Sequence, residues 1–448
     1  MNHSYARAAE LQVEAWKTSF GAFDPHPSLH VPEERLEAVF NVVSERLEGN
    51  YPFHHPVYAG QMLKSPHHVA LSAYALAASI NPNNHALDGG PPSSEMEKEV
   101  IKRLAFFFGY DSTCLGHLTS SGTIGNLEAL WVAREIHPQK SIAFSSNAHY
   151  THGRMCGVLG IESQVIEIDE NGEFKLDEVD PRSIGTFVVT LGTTGLGKTE
   201  ALHQVVVWAK THDIRIHIDA AYGGFFRVLA HSSLIDGTNW KLMQEADSMV
   251  VDPHKHGLQP YGCGCVLFKN PEVARFYLHD SPYTYYTSDD LHLGEISLEC
   301  SRAGAAAVAL WATLECFPLE EARGFGPIMG ACRKAALTFE QNIAESRKLT
   351  MLSPPELDIV TYFPSHKGNK PVTSLSECSE AARTVFERGM ESRQFYLSLY
   401  TMSADAFLKL HPEFRKDSEQ VTILRSVLMR PEHEMFAEEL VRRIEQAV

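Results

Sequence analysis

The spacing of apolar positions changes character twice along the chain, and these changes mark its organisation. The N-terminal part carries helical spacing. There Ser94-Glu95-Met96-Glu97 has the pattern of a capping box, opening a helix on which Val100, Ile101, Leu104 and Phe108 recur along one face and which Gly109 stops. Between residues 115 and 268 short β-rich runs alternate with helical stretches. Strands are predicted at 142–144, 187–190, 214–218, 249–251 and 265–268, with helices at 126–136 and 201–210. Runs that are apolar throughout belong to strands covered on both faces, so the pattern predicts a mainly parallel sheet with helices on both sides. Further on, the chain reads as helices with strands at 357–363 and 422–428 and a loop at 365–373, a smaller α+β unit. The division is a helical segment at 1–60, a large domain at 61–325 and a small C-terminal domain at 326–448.

Composition narrows the class. With 44% hydrophobic and 21% charged residues, the 448-residue chain is an ordinary globular protein and not a disordered one. Lys and Arg number 39 against 56 Asp and Glu, a formal charge of -17. Such an acidic surface repels phosphate backbones and anionic lipid, which excludes a general affinity for nucleic acid or membrane. The apolar stretches at 70–80 and 303–314 are too short to span a bilayer, and no basic-then-apolar leader opens the sequence, so a cytoplasmic location is expected. The eight cysteines include no Cys-x-x-Cys pair, and the doublets His54-His55 and His67-His68 lack ligand spacing. Reduced thiols and no metal site are expected.

Two segments have the form of a phosphate loop. Gly192-Thr193-Thr194-Gly195-Leu196-Gly197-Lys198-Thr199 follows a strand, precedes a helix and satisfies Gly-x-x-x-x-Gly-Lys-[Ser/Thr] at every fixed position, which taken alone indicates a nucleotide triphosphatase. Ser120-Ser121-Gly122-Thr123-Ile124-Gly125-Asn126 offers backbone N–H groups and the Thr123 hydroxyl at a helix start, suited to a dianionic phosphate and equally to a plain N-cap. A third segment decides between them. In Asp252-Pro253-His254-Lys255-His256-Gly257 a lysine leaves an apolar strand into a Pro- and Gly-rich loop, where a poorly solvated amine is a nucleophile toward a carbonyl.

The stretch Asp247-Ser248, Asp252-x-His254-Lys255, Pro260-x-x-Cys263-Gly264 resembles the signature of the group II amino-acid decarboxylases, pyridoxal-phosphate enzymes of the aspartate-aminotransferase fold, fold type I. Further matches follow in chain order. Thr119 to Asn126 is similar to the family's phosphate turn, and His149 with Thr151 to its ring-stacking site. Thr190-x-Gly192-Thr193-Thr194 resembles its Thr-x-Gly-Thr-Thr, and His217-Ile218-Asp219-Ala220-Ala221-Tyr222-Gly223-Gly224 its His-Val-Asp-Ala-Ala-x-Gly-Gly. Ser301-Arg302 followed by Trp311 is also similar, so that the likeness spans residues 50 to 430.

The resemblance implies an α/β fold with a mainly parallel sheet of the seven-stranded type, pyridoxal 5'-phosphate as cofactor, an L-amino acid as substrate and a homodimer with its site near the subunit interface. Lys255 would join the cofactor's aldehyde, and Asp219 would hold the pyridine nitrogen protonated so that the ring accepts electrons. His149 would stack on one face and Ala221 lie against the other, while Ser121, Gly122, Thr123 and His254 would hold the phosphate. Thr193 is the candidate for the ring-hydroxyl side, with Thr190 the alternative. Arg425 is the candidate charge partner of the substrate, Tyr283, Tyr285 or Tyr286 the candidate proton donor, His54 and His55 candidate substrate-side residues, and Asn83, Asn84 and His85 candidates for reaching a partner's pocket. The implied reaction is release of CO2 from an L-amino acid, with another reaction of the same cofactor (carbon–carbon lyase, aldehyde synthase or aminotransferase) as the alternative and a nucleotide hydrolase as a distant one. The chain departs from the family pattern at Ser121, Glu200 and His256, where glycine, aspartate and a large apolar residue are usual.

Overall fold

A computed structural model describes residues 4–169, 172–278, 291–368 and 370–448. Seven strands form the central sheet: β1 Leu115–Thr119, β2 Ser141–Ser145, β3 Ser163–Ile166, β4 Ile184–Thr190, β5 Arg215–Asp219, β6 Ser248–Val251 and β7 Gly264–Phe268, in the spatial order β1-β7-β6-β5-β4-β2-β3. Only β7 is antiparallel, to both β1 and β6. The other neighbours pair in parallel. Helices cover both faces, so β1, β2, β4, β6 and β7 are buried at every position.

In the central sheet the sequence pattern misses two strands for local reasons. β1 reads Leu-Gly-His-Leu-Thr, diluted by a glycine and a buried histidine; β3 is half-exposed and begins Ser-Gln. The helix Thr151–Leu159 also escapes prediction, because two glycines break its apolar pattern. The expected capping box does not form. The helix begins four residues earlier, at Pro91, with Gly90 rather than Ser94 before it, and the fixed φ of proline suits the first helical position. Glu97 turns inward instead, accepting the Leu118 N–H at 2.9 Å, the Asn84 side-chain amide at 2.6 Å and the Arg302 guanidinium at 2.6 Å. Gly109, at φ +89°, closes the helix as expected.

A second sheet is antiparallel: β8 Leu349–Met351, β9 Ile359–Pro364, β12 Ser398–Ser403 and β13 Gln420–Val427, in the order β12-β13-β9-β8. Phe339, Tyr362, Phe395, Leu424 and Leu440 form its core against the helices Phe325–Glu345, Leu375–Ser392 and Ala437–Ala447. The expected loop at 365–373 contains a short ladder, β10 His366–Lys367 against β11 Lys370–Pro371.

Near the N-terminus, every residue of the helix Glu33–Leu47 is exposed, including the stripe Leu36, Val39, Phe40, Val43 and Leu47. Among the described residues, no helix is long and apolar enough to cross a membrane.

Candidate active site

The parallel strands run the same way, so their carboxyl ends gather the residues that follow them around one crevice. Thr190 ends β4, Asp219 ends β5, and Asp252 to Lys255 follow β6; His149 lies just beyond β2 and Ser121 just beyond β1. A cavity of about 470 Å³ lies there. Lys255, His149, Asp219, Ser121, Gly122, Thr123, Ala221 and His254 all line it. Thr193 does not. The cavity wall carries its alternative, Thr190, while Thr193 spends its hydroxyl on the Lys198 N–H at 3.1 Å.

Asp219 is buried with three donors on its carboxylate. His152 Nε2 lies 2.9 Å and Asn126 Nδ2 3.4 Å from Oδ2, and the Ala221 N–H lies 3.1 Å from Oδ1. Burial alone would raise its pKa, but the hydrogen bond and charge of His152 together with the nearby Lys255 carry it well below the usual carboxylate range. Asn126 extends the network, since its Oδ1 lies 2.8 Å from His217 Nε2, and His217 Nδ1 lies 2.9 Å from Ser248 Oγ. Burial drives His217 down to about 3, so this second histidine is neutral.

Lys255 is held in the loop after β6 by its N–H to the Asp252 carbonyl, 2.9 Å. Its side chain is 22% exposed, and Nζ lies 3.1 Å from Asp252 Oδ2. The amine is therefore ion-paired rather than isolated. His254 is oriented by the Cys263 carbonyl, 2.8 Å from Nδ1, and its ring packs 4.9 Å from that of Tyr261. His149 Nδ1 accepts from the Thr151 N–H at 3.2 Å and meets Thr151 Oγ1 at 2.7 Å, which leaves the proton of a neutral ring on Nε2. Burial lowers the pKa of both His149 and His254.

The fit to pyridoxal phosphate rests on three features of this cavity. Ser121 caps the helix Gly122–Ile136 through the Ile124 N–H, and the first-turn N–H groups beside it have no intrahelical acceptor. Gly122 admits nothing larger, because a Cβ there would lie 2.7 Å from both carboxylate oxygens of Asp252. Thr190 Oγ1 is buried with no hydrogen-bond partner among the described residues. An anion cup, a carboxylate held ionised and an unspent hydroxyl thus share one cavity with a lysine.

The rival phosphate loop is closed on itself. The N–H groups of Gly192 and Thr193 both donate to the Lys198 carbonyl, at 3.1 and 2.8 Å, and that of Thr199 to Glu356 at 2.8 Å. The following helix starts only at Leu202, and Lys198 Nζ bonds the Pro354 carbonyl at 2.6 Å. The motif is satisfied in letters and not in geometry.

Arg425 is buried away from the cavity and donates to the carbonyls of Thr194 at 2.7 Å and Gly195 at 3.0 Å and to Ser398 Oγ at 3.0 Å. Asn84 is buried against Ser93 and Glu97, and Asn83 Oδ1 accepts the N–H groups of His85 and Arg302. His54 and His55 stay off the cavity, where Gln61, Met62 and Leu63 reach it. Tyr283, Tyr285 and Tyr286 lie outside the described residues. Sequence reasoning assigned no role to His152, Asn126 or Asp252. Asn126 and Asp252 stood inside the quoted motifs, whereas the signal for His152 was only its position three residues after His149.

Residues 33–363 match the pyridoxal-dependent decarboxylase conserved domain. The L-tyrosine decarboxylase of Enterococcus faecium is 24% identical, the match covering 90% of this chain and 87% of that protein. A probable L-aspartate decarboxylase of Pyrococcus abyssi is also 24% identical, over 74% of this chain and 86% of its own length. The crystal structure of mouse CSAD superposes with a TM-score of 0.78 at 19% identity, covering 99% of both chains, a likeness of fold.

Proposed function

The chain belongs to the pyridoxal-dependent decarboxylase family, and from that premise we propose that it removes the carboxylate of an L-amino acid as CO2 at the cavity around Lys255, acting as a cytoplasmic homodimer. The single observation that carries the assignment of the site is that Lys255 and Asp219, far apart in sequence, line the same cavity. When bound, the cofactor supplies an electron sink for the pair left on Cα as CO2 departs.

The protein's residues do the rest. Lys255 Nζ is the amine in the cavity that would hold the cofactor's aldehyde. Asp219, kept ionised by its donors, would hold a proton on the ring nitrogen and so maintain the ring's electron demand. His149 would cover one face of the ring, and Ala221, with only a methyl group, would leave room at the other. Ser121, Gly122, Thr123 and His254 would hold the phosphate, and Thr190 would take the hydroxyl side in place of Thr193. Asp252, 3.1 Å from Lys255 Nζ, holds the end of the lysine side chain in the cavity that both residues line. The wholly exposed apolar stripe of the helix Glu33–Leu47 supports the dimer, since about five large side chains facing water stabilise a chain only when a partner covers them.

The test is a purified enzyme with pyridoxal phosphate, a panel of L-amino acids that includes tyrosine and aspartate, and a CO2 assay. One amino acid is expected to release CO2 with its amine as co-product, and Lys255→Ala to lose both the cofactor's visible absorbance and the reaction. Keto acid or aldehyde as the main product, without the amine, would replace this reading with one of the other reactions of the same cofactor.

A further inference from the structure

Of the three donors on Asp219, two belong to the motifs that carry the family resemblance, Asn126 at the end of the phosphate turn and the Ala221 amide beside the carboxylate itself. The third is His152, one position beyond the matched His149-x-Thr151 and outside any quoted motif. It sits in the first turn of the helix Thr151–Leu159, fully buried, its ring 5.9 Å from that of Phe144 and 6.5 Å from that of His217. Among the described residues its Nδ1 has no hydrogen-bond partner, so the 2.9 Å contact from Nε2 to Asp219 Oδ2 is the polar commitment of this side chain.

A buried carboxylate is inherently pushed toward its neutral form, and a neutral acid cannot retain the proton on a pyridine nitrogen. Asn126 contacts the same oxygen only at 3.4 Å, and the Ala221 N–H serves the other oxygen. The short contact to Oδ2 is therefore the one from His152, and it is the one that a packing side chain of equal size would not supply. Resting on the function proposed above, we propose that His152 is a positioning residue that keeps Asp219 ionised and aimed at the cofactor's ring nitrogen.

The experiment is equilibrium binding of pyridoxal phosphate to the apoenzyme, followed by absorbance and fluorescence, for wild type, His152→Met, His152→Gln, Asp219→Asn and the double variant His152→Met/Asp219→Asn. Thermal unfolding of each apoprotein is recorded alongside. Losing a charge-assisted hydrogen bond predicts an affinity about ten- to a hundredfold weaker for His152→Met. Glutamine can present its Nε2 where the imidazole Nε2 stands, and it should stay within about threefold of wild type. In the Asp219→Asn background, His152→Met should add less than about twofold, because the partner through which it acts is gone. The proposal is overturned by wild-type affinity in His152→Met, by equal losses in the Met and Gln variants, or by a full additional loss in the double variant. Should His152→Met not fold, His152→Leu replaces it in the same comparison, and failure of both hydrophobic variants to fold while Gln binds normally supports the polar role. If the wild type binds no cofactor, the function proposed above fails and this inference with it; if the wild type binds but Asp219→Asn binds it unchanged, this inference alone is overturned.

Discussion

Glu200 offers a direct test of how burial sets charge beside this site. It is buried between the ends of two strands, where Oε2 accepts the Thr190 N–H at 2.6 Å and Oε1 accepts from Ser145 Oγ. Among the described residues no basic side chain lies within 4.0 Å of it. Burial pushes its pKa from 4.5 up to about 7, against the hydrogen bonds from Ser145 and Thr190, which favour the anion. The sign follows from linkage. The folded state keeps the proton that the unfolded chain releases above pH 4.5, so stability falls as pH rises from there to about 7 and is level beyond. Converting the shift at 1.36 kcal/mol per unit gives about 3 kcal/mol across that window. Glu200→Gln removes the titration while its Oε1 can still accept the Thr190 N–H and its Nε2 can donate to Ser145 Oγ. The assay is urea unfolding of apo wild type and Glu200→Gln at intervals from pH 5 to 8.5, taking their difference so that every other titrating group cancels. The variant should gain on wild type by about 2 to 3 kcal/mol as pH rises over that range. A difference flat to within about 0.5 kcal/mol, or one that shrinks with rising pH, would refute the burial argument.

Three further substitutions separate residues that the sequence places close together. Lys198→Ala removes a partly exposed contact to Pro354 and Glu356, so it should cost no more than about 1 kcal/mol in urea unfolding and leave cofactor affinity and CO2 release unchanged; abolished activity, or nucleotide binding that depends on Lys198 by calorimetry, would contradict the closed-loop geometry. Thr190→Val deletes a hydroxyl with no hydrogen-bond partner among the described residues and should weaken cofactor binding several-fold without destabilising the apoprotein. Thr193→Val deletes the acceptor of the Lys198 N–H and should do the reverse, costing about 1 kcal/mol of stability at nearly constant affinity. The opposite pattern in the pair would return Thr193 to the site.

Much of the large sheet was legible because its strands are covered on both faces and so read as unbroken apolar runs, as at Phe187 to Val189 and Met249 to Val251. β1 and β3 were not, since one carries glycine and histidine into the interior and the other is a half-wet edge. The site was legible where a motif fixes neighbours in the chain, as in His254-Lys255 or Asp219-Ala220-Ala221. It was illegible where facing decides. Thr190 and Thr193 flank Gly192, whose φ of +96° reverses the chain, and only the folded turn shows which hydroxyl meets the cavity. His152 reaches Asp219 across 67 residues of sequence, a pairing that no local spacing encodes. Glu97 had the letters of a capping residue, and its long-range partner Arg302 claimed it.

The same logic explains why the cavity wall depends on the C-terminal sheet. The loop from Gly192 to Thr199 has no helix of its own to stiffen it, and its outer side is held from β13 by Arg425, from the preceding segment by the Pro354 carbonyl, and by Glu356, which accepts both the N–H and the hydroxyl of Thr199. Gly195 has to be glycine there, as a Cβ would meet the Tyr400 ring at 2.5 Å. On the opposite side Asp358, just before β9, accepts the Tyr222 hydroxyl at 2.7 Å and lies 3.2 Å from His256 Nε2, the residue that follows Lys255. A buried carboxylate set between the cavity-lining Tyr222 and the loop bearing the lysine ties the second sheet to both. That arrangement gives a reason for the histidine at 256 where the family prefers a large apolar side chain: an aliphatic or phenyl side chain could fill the space but offers Asp358 neither an N–H nor a charge, and removing the imidazole would leave the buried carboxylate with less of the compensating charge that makes its burial tolerable.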